Sequence, residues 1–220
     1  MISTIETTAG KTNPAIYQLK VVLLGSKPSI WRRLQVPGNA GLDWLHAVLQ
    51  VALGWTNSHL HQFKARDDCY SDTRHHFAEY EGDPEILEER KFTLQQIAPR
   101  KHDTFGYEYD FGDSWEHAIT VETILPPGGA AATTALCLDG ARACPPEDCG
   151  GIWGYADLLK TLKNRKHPEH GTMKEWIGGS FDAEAVDPGK INLWLLKLKW
   201  PRVTEAQLRK TLMRRDDYHE

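Results

Sequence analysis

The sequence predicts an α+β fold, in which an antiparallel sheet with a β-β-α-β core and a central hairpin is packed by N-terminal and C-terminal helices. Three patterns predict it. The chain opens with alternating segments around a helical pattern, a second alternating pair flanks Gly112, and the last third has helical spacing. Strict alternation is typical of half-buried strands, whereas recurrence every three to four residues is typical of amphipathic helices.

The β-β-α-β core is expected in the first third of the chain. Residues 16–36 alternate between apolar and polar on either side of a turn at 25–28, which predicts a hairpin. Apolar residues from 42 to 53 follow helical spacing, and Gly54 is suited to end that helix because glycine readily adopts the left-handed conformation. Residues 58–63 are the expected third strand.

The central hairpin is predicted on both sides of Gly112. Tyr107, Tyr109 and Phe111 share one face before the glycine, and alternation resumes after it. Gly112 and Asp113 suit a tight turn.

Three side chains near this turn, Asp110, Asp113 and His117, are the candidate catalytic residues. A capped hairpin with a packed tryptophan would explain the same pattern. A metal or acid–base site is the functional alternative.

Helical patterns follow residue 151, and Asp187-Pro188 is typical of a helix start. The expected organisation is a disordered leader at 1–14, a single domain at 15–199 with a surface insertion at 67–91 and a Cys/Pro/Gly loop at 126–151, and a helical extension at 200–220.

Composition narrows the function classes. The chain has 220 residues, a net charge of −4 and a pI of about 6.2, so it has no general electrostatic attraction to nucleic acid or membranes. No apolar run approaches the ~20 residues of a membrane span. The N-terminus lacks the pattern of a secretory signal, so we expect a cytoplasmic protein with reduced or metal-bound cysteines.

Cys137, Cys144 and Cys149 are the candidate metal ligands, with zinc as the cofactor. They lie in a stretch rich in proline and glycine, but their spacing does not match the tight pairs of a zinc ribbon. A fourth ligand would come from Cys69 or from one of the histidines His59, His61 and His117. Reduced cysteines packed in a loop, redox chemistry and a disulfide remain alternatives.

Four ordered blocks resemble the plasmid pRiA4b open-reading-frame-three-like family. They are Ile30-Trp31-Arg32-Arg33, Gly54-Trp55 with His59-Leu60-His61-Gln62-Phe63, the stretch from Tyr109 to His117, and Cys144 to Gly151 with Gly154-Tyr155. The resemblance runs from about Tyr17 to Leu198. It implies a compact α+β domain, and the family's naming links it to plasmids and to passenger genes of insertion elements, some labelled resolvase-like.

The resemblance carries over no activity and no catalytic residue. A serine recombinase needs a nucleophilic serine in a basic setting together with DNA-binding helices, and the sequence shows no such arrangement.

Three functions are consistent with these observations. The favoured one is a non-enzymatic interaction module with an aromatic-lined cleft that binds a protein, a peptide or a small ligand. Its candidate ligand-binding residues are Trp31, Arg33, Trp55, His59, His61, Tyr109 and Trp115. The alternatives are a metal-dependent hydrolase or nuclease and a DNA-associated accessory protein of a mobile element. We expect the His59–His61 segment, the central hairpin and the cysteine loop to converge on one pocket.

Overall fold

The computed structural model describes residues 13–74 and 85–216. In chain order the elements are β1 (Ile16–Leu23), β2 (Trp31–Pro37), α1 (Leu42–Leu53), β3 (His61–Ala65), β4 (Asp68–Ser71), β5 (Ile86–Glu88), a 3₁₀ helix (Glu89–Lys91), α2 (Leu94–Ile97), β6 (Thr104–Tyr109), β7 (Trp115–Leu125), a second 3₁₀ helix (Ala130–Ala132), β8 (Leu136–Ala141), α3 (Gly151–Lys163), α4 (His170–Trp176), α5 (Pro188–Leu195) and α6 (Glu205–Asp216).

The strands form one eight-stranded sheet in the order β5-β4-β3-β6-β7-β1-β2-β8. Every neighbouring pair is antiparallel except β4 and β5, which are parallel. The α+β class predicted from the sequence is therefore confirmed. None of the helices in the described residues is both long enough and apolar enough to cross a membrane.

The two faces of the sheet differ in polarity because successive side chains of a strand point to opposite sides. Leu19 and Val21 of β1 and Ile119 of β7 are fully buried on the inner face. On the outer face, Gln18 and Arg33 both bond to Glu122. The inner face therefore forms the core, and the outer face carries a polar network.

Helix α1 covers the inner face and is itself covered by the C-terminal segment. Eleven of its twelve residues are buried, and it ends at Gly54, whose φ of 100° is left-handed. The indole of Trp44 donates to the Lys199 carbonyl and packs edge-on against Trp200 at 4.8 Å between ring centroids. Leu208 and Leu212 of α6 belong to the same core.

Two expected loops contain strands. The ends of the expected insertion at 67–91 form β4 and β5, and the expected irregular loop at 126–151 contains β8. These strands have three to six residues, which is too few for alternation to show clearly in the sequence. The expected leader at residues 1–12, and residues 75–84 within the expected insertion, lie outside the described residues.

The third strand begins at His61 and not at residue 58. The backbone N–H groups of Ser58 and His59 donate to the side-chain hydroxyl of Tyr109, so this segment is held by a side chain before the strand begins.

Two adjacent arginines on β2 have opposite environments. Arg32 is 3% exposed, and its guanidinium donates to the carbonyls of Ala52, Trp31 and Ala141 at 2.8–3.2 Å. Arg33 lies on the outer face, where it forms a two-pronged ion pair with Glu122 at 2.7 and 2.9 Å. Arg32 therefore joins β2 to the end of α1 and to β8. Arg33 forms its ion pair with Glu122 at the protein surface.

We expect Arg32→Met to lower the free energy of unfolding by about 3 kcal/mol, because it leaves buried carbonyl groups without a donor. The matched change Arg33→Met removes a solvent-exposed ion pair and should cost about 1 kcal/mol or less. Urea unfolding followed by tryptophan fluorescence measures both, and equal losses would contradict the assigned environments.

Candidate functional site

A polar pocket of about 430 Å³ opens between the start of β3, the 3₁₀ helix at Glu89–Lys91, the first half of α1 and the C-terminal segment. The titratable side chains in its wall include Asp43, His46, His61, Asp72 and Glu89. Its volume is within the range of about 300–1,000 Å³ that small-molecule sites occupy. Its wall is more polar than that of most such sites.

Glu89 and His61 form a buried acid–imidazole pair at the pocket wall. The Glu89 carboxyl is 2.8 Å from His61 Nε2, and Glu89 is 3% exposed. Burial raises the pKa of Glu89 to about 7, because the charged carboxylate loses its hydration, and the negative charges of Asp72 and Glu88 add to the increase. Near neutral pH this carboxyl group therefore exchanges between its acid and carboxylate forms.

His46 of α1 stacks face to face on His61, with 3.4 Å between ring centroids and 6° between ring planes. Burial lowers the pKa of His46 to about 3. Its Nε2 lies 2.7 Å from the side-chain carbonyl oxygen of Asn57, and its Nδ1 lies 2.9 Å from the hydroxyl of Tyr107. The neutral ring therefore donates from Nε2 and accepts the Tyr107 proton at Nδ1.

Gln50 completes this network one turn further along α1. Its amide nitrogen donates to the Tyr107 hydroxyl at 3.0 Å, and its carbonyl oxygen accepts the backbone N–H of Asn57 at 2.8 Å. Buried polar groups are rarely left without partners, and here each takes a defined position. The network fixes the ring of His46 and hence the inner wall of the polar pocket.

Asp43 and Asp72 are two further carboxyl groups in the pocket wall, and their pKa values are shifted in opposite directions. Arg74 and Arg90 pair with Asp72 at 2.5 and 2.9 Å, and the hydrogen bond from Arg74 lowers its pKa well below the usual range. Asp43 makes no ion pair with the described residues, and burial raises its pKa. Asp72 is therefore held as a carboxylate by two arginines, whereas neither Asp43 nor Glu89 forms an ion pair with a Lys or Arg of the described residues; Arg90, and for Asp43 also Arg202, act on them only at longer range.

His59, Asp110 and Asp148 form a second cluster, the histidine–carboxylate cluster. His59 Nε2 lies 3.7 Å from Asp110 Oδ2 and 3.1 Å from Asp148 Oδ1. Within residues 13–74 and 85–216, this is the one group of three His, Cys, Asp or Glu side chains with ligand atoms within 4.8 Å of one another. His59 also borders the polar pocket.

Three separate segments converge at this cluster. The hydroxyl of Tyr109 donates to Glu147 at 2.5 Å and accepts the backbone N–H groups of Ser58 and His59 at 2.9 and 3.3 Å. Asp113 accepts the backbone N–H of Gly150 at 3.1 Å. The segment before β3, the central hairpin and the loop before α3 are therefore held together.

Close packing helps to hold this junction. Gly151 has a left-handed φ of 66°, and a Cβ placed on it would lie 2.6 Å from the Asp113 carbonyl oxygen. The turn of the hairpin can therefore approach the start of α3 only because this position has no side chain.

The aromatic residues of the predicted cleft lie elsewhere. Trp55, Tyr109 and Trp115 are at most 1% exposed, and Trp55 stacks on the other two rings inside the core. Trp31 and Arg33 lie on the opposite face of the sheet, where the guanidinium is 5.2 Å from the indole centroid. The prediction of one open aromatic face is corrected, because β2 points Trp31 and Arg33 away from the core.

His117 does not join the carboxylates near the turn. It is buried on β7, its Nδ1 lies 3.2 Å from the Tyr107 carbonyl, and its ring is edge-on to Trp55. Burial lowers its pKa to about 4, so the ring is neutral. Along β7, His117 is two residues from both Trp115 and Ile119, so all three side chains point to the inner face.

The cysteines proposed as zinc ligands do not come together in the described residues. Cys137 is on β8 and its thiol is 3.6 Å from the Asp139 carbonyl, whereas Cys144 lies against the Arg32 guanidinium. Burial raises the pKa of Cys149 to about 12, which disfavours the thiolate that binds zinc. Cys69 is on β4, towards the other edge of the sheet from β8.

Sequence reasoning missed His46, Glu89 and Asp148. His46 lies within a mostly apolar helix, Glu89 lies in a charged run that predicts a surface insertion, and Asp148 precedes a more conspicuous cysteine. The signal that could have found His46 is its position in the middle of a mostly apolar helix, together with Gln50 one turn later, because buried polar side chains need hydrogen-bond partners.

Glu89 should make stability depend on pH. The folded protein keeps the Glu89 proton up to about pH 7, whereas the unfolded chain releases it near the ordinary value of 4.5. The folded state therefore loses stability as pH rises from about 4.5 to 7, by at most ~3 kcal/mol. Relative to wild type, Glu89→Gln should become progressively more stable between pH 5 and pH 8 in urea unfolding.

His46 and His117 act in the opposite direction below pH 6.5, but both are present in the two proteins and their contributions cancel in the comparison. Glu116→Gln, at an exposed position of β7, is the matched control and should parallel wild type. Parallel curves for Glu89→Gln and wild type would contradict the buried acid.

Comparisons with known proteins identify a family, a curated relative and a similar solved structure. Residues 15–190 match the family described as plasmid pRiA4b ORF-3-like protein. The chain is 37% identical over 191 residues to the uncharacterized protein y4hQ of Sinorhizobium fredii, covering 86% of this chain and 95% of that one. The crystal structure of MM3350 from Methanosarcina mazei Go1, a protein of unknown function, is similar with a TM-score of 0.68 and 36% identity, covering 80% of this chain and 97% of that one. The chain belongs to the plasmid pRiA4b ORF-3-like protein family.

Proposed function

We propose that this protein binds a small molecule carrying a positively charged group, and that the group enters the polar pocket beside Glu89 and Asp43. This retains a binding role and moves the binding site from the aromatic rings of the core to the polar pocket. The single observation that carries the proposal is a cavity of ligand size whose wall has two shielded carboxyl groups, neither of which forms an ion pair with a Lys or Arg of the described residues.

The charges in the wall favour a cation over an anion. Arg74 and Arg90 are already paired, both of them with Asp72 and Arg90 also with Glu88, and their side chains are 52% and 41% exposed. Glu89 is buried deeper, where it bonds to His61 of the stacked imidazole pair. An ammonium, guanidinium or imidazolium group next to it would favour the carboxylate and form a charge-assisted hydrogen bond.

The fixed inner wall also supports specific binding. His46 is held by Asn57 and Tyr107, and Tyr107 is held by Gln50. A site whose side chains are already ordered loses less conformational entropy when a ligand binds. The polar pocket therefore combines an acceptor for positive charge with a rigid surface.

Isothermal titration calorimetry with methylguanidinium, butane-1,4-diammonium and imidazolium tests the proposal, with acetate as the anionic comparison. We expect at least one cation to bind and acetate not to bind. Binding of methylguanidinium or butane-1,4-diammonium near pH 7 should release protons, because the cation favours ionised Glu89, and the release appears as a dependence of the observed heat on the buffer's ionisation enthalpy. Glu89→Gln should weaken binding about tenfold or more and abolish the proton release.

Glu116→Gln is again the matched control and should bind like wild type. Failure of all three cations to bind wild type, or equal binding and equal proton release by Glu89→Gln, would refute the proposal.

A further inference from the structure

We propose that His59, Asp110 and Asp148 bind a divalent first-row metal ion through one imidazole nitrogen and two carboxylate oxygens. This site is distinct from the cation-binding wall of the polar pocket, although His59 borders both. It also differs from the thiolate site that the cysteine pattern suggests, because none of its ligands is a sulfur.

The distances suit a shared ion. Ligand atoms that are each about 2.0–2.2 Å from one metal lie about 3–3.5 Å apart. His59 Nε2 is 3.1 Å from Asp148 Oδ1 and 3.7 Å from Asp110 Oδ2, and all three ligand atoms are within 4.8 Å of one another. An ion therefore requires shifts of less than about 1 Å between the His59 nitrogen and either carboxylate.

The hydrogen bonds leave two ligand atoms available. His59 Nε2 is shielded from solvent and makes no hydrogen bond of normal geometry, in spite of its carboxylate neighbours. The Asp110 side chain is 10% exposed, and its Oδ1 accepts the Gly112 N–H at 3.0 Å. Oδ2, 3.7 Å from the imidazole, is too distant for a hydrogen bond to it.

A simple ion pair would account for the cluster less well. A direct pair should show an aligned hydrogen bond from the imidazole to one carboxylate, and the orientation of the ring does not provide one. A metal between the three groups satisfies the shielded nitrogen and the buried carboxylate together.

Groups around the cluster fix the ligands in place, as they do in known metal sites. Tyr109 accepts the backbone N–H of His59 and donates to Glu147, the residue before Asp148. Asp110 and Asp148 both have left-handed backbones, with φ of 59° and 58°. Non-glycine residues seldom adopt this conformation, and here it accompanies two carboxylates aimed at one imidazole.

The ligand set indicates the class of metal. Carboxylates suit Mn²⁺, whereas imidazole suits Zn²⁺ and Fe²⁺, and a mixed set binds ions between these extremes. Three protein ligands leave coordination positions open for water, as in catalytic sites and unlike closed structural zinc sites. Such a metal would acidify bound water, which is what a metal-dependent hydrolase requires.

Mn²⁺ tests this site with the full chain, because Mn²⁺ has little affinity for the protein's thiols. Electron paramagnetic resonance of free Mn²⁺ should show one bound equivalent, and bound Mn²⁺ should enhance water-proton relaxation through its open positions. Asp148→Asn should weaken binding by on the order of a hundredfold, since even residues that only orient ligands contribute tenfold to a hundredfold. Asp148 is 71% exposed, so this variant should fold.

Two controls complete the test. Cys149→Ser removes the adjacent thiol and Asp139→Asn removes another exposed carboxylate, and both should bind Mn²⁺ like wild type. The proposal is overturned if wild type binds no Mn²⁺, if Asp148→Asn binds it equally well, or if Cys149→Ser abolishes binding. Because Glu89→Gln leaves this cluster intact, the two proposals are tested independently, and either one can be refuted without the other.

Discussion

Helix α1 is buried on nearly all its sides although it carries His46 and Gln50, so the polar atoms of these residues must find partners inside the protein. This requirement organises the candidate site. Tyr107 and Asn57 satisfy both side chains, and the neutral ring of His46 becomes a surface on which His61 stacks. Glu89 then bonds to His61 in a place that water reaches poorly. The polar pocket is therefore a consequence of placing two polar residues within a core helix.

A second constraint acts through Tyr109. Its ring fills the core beside Trp55, and its hydroxyl emerges where three segments meet. One hydroxyl group thereby links the packing of the sheet to the position of His59 and Asp148. The aromatic residues Trp55 and Tyr109, which first suggest a binding surface, are packed inside the core. They contribute to the site by holding the polar groups next to them in position.

Much of the fold could be predicted from the sequence because its signals are local. The alternation around Gly112 and the helix ended by Gly54 depend on neighbouring residues, and both were correctly located. Three segments were predicted to converge on one pocket; they meet at His59, Asp110 and Asp148, but only the His59–His61 segment also lines the polar pocket. The identities of the site residues were harder to predict. The position of Asp148 depends on the hydrogen bond between Tyr109 and Glu147, which are 38 positions apart. The raised pKa of Glu89 depends on burial by segments that are distant in the chain.

Asn192 of α5 contacts β8 in a way that affects how the protein meets its own copies. Its side-chain oxygen accepts the Cys137 N–H at 2.6 Å, and its amide nitrogen donates to the Cys137 carbonyl at 2.9 Å. β8 is the last strand of the sheet, and open main-chain groups on a last strand invite pairing with a strand from another molecule. The amide side chain of Asn192 occupies both main-chain groups of Cys137, so a strand from another molecule cannot pair with β8 at this residue.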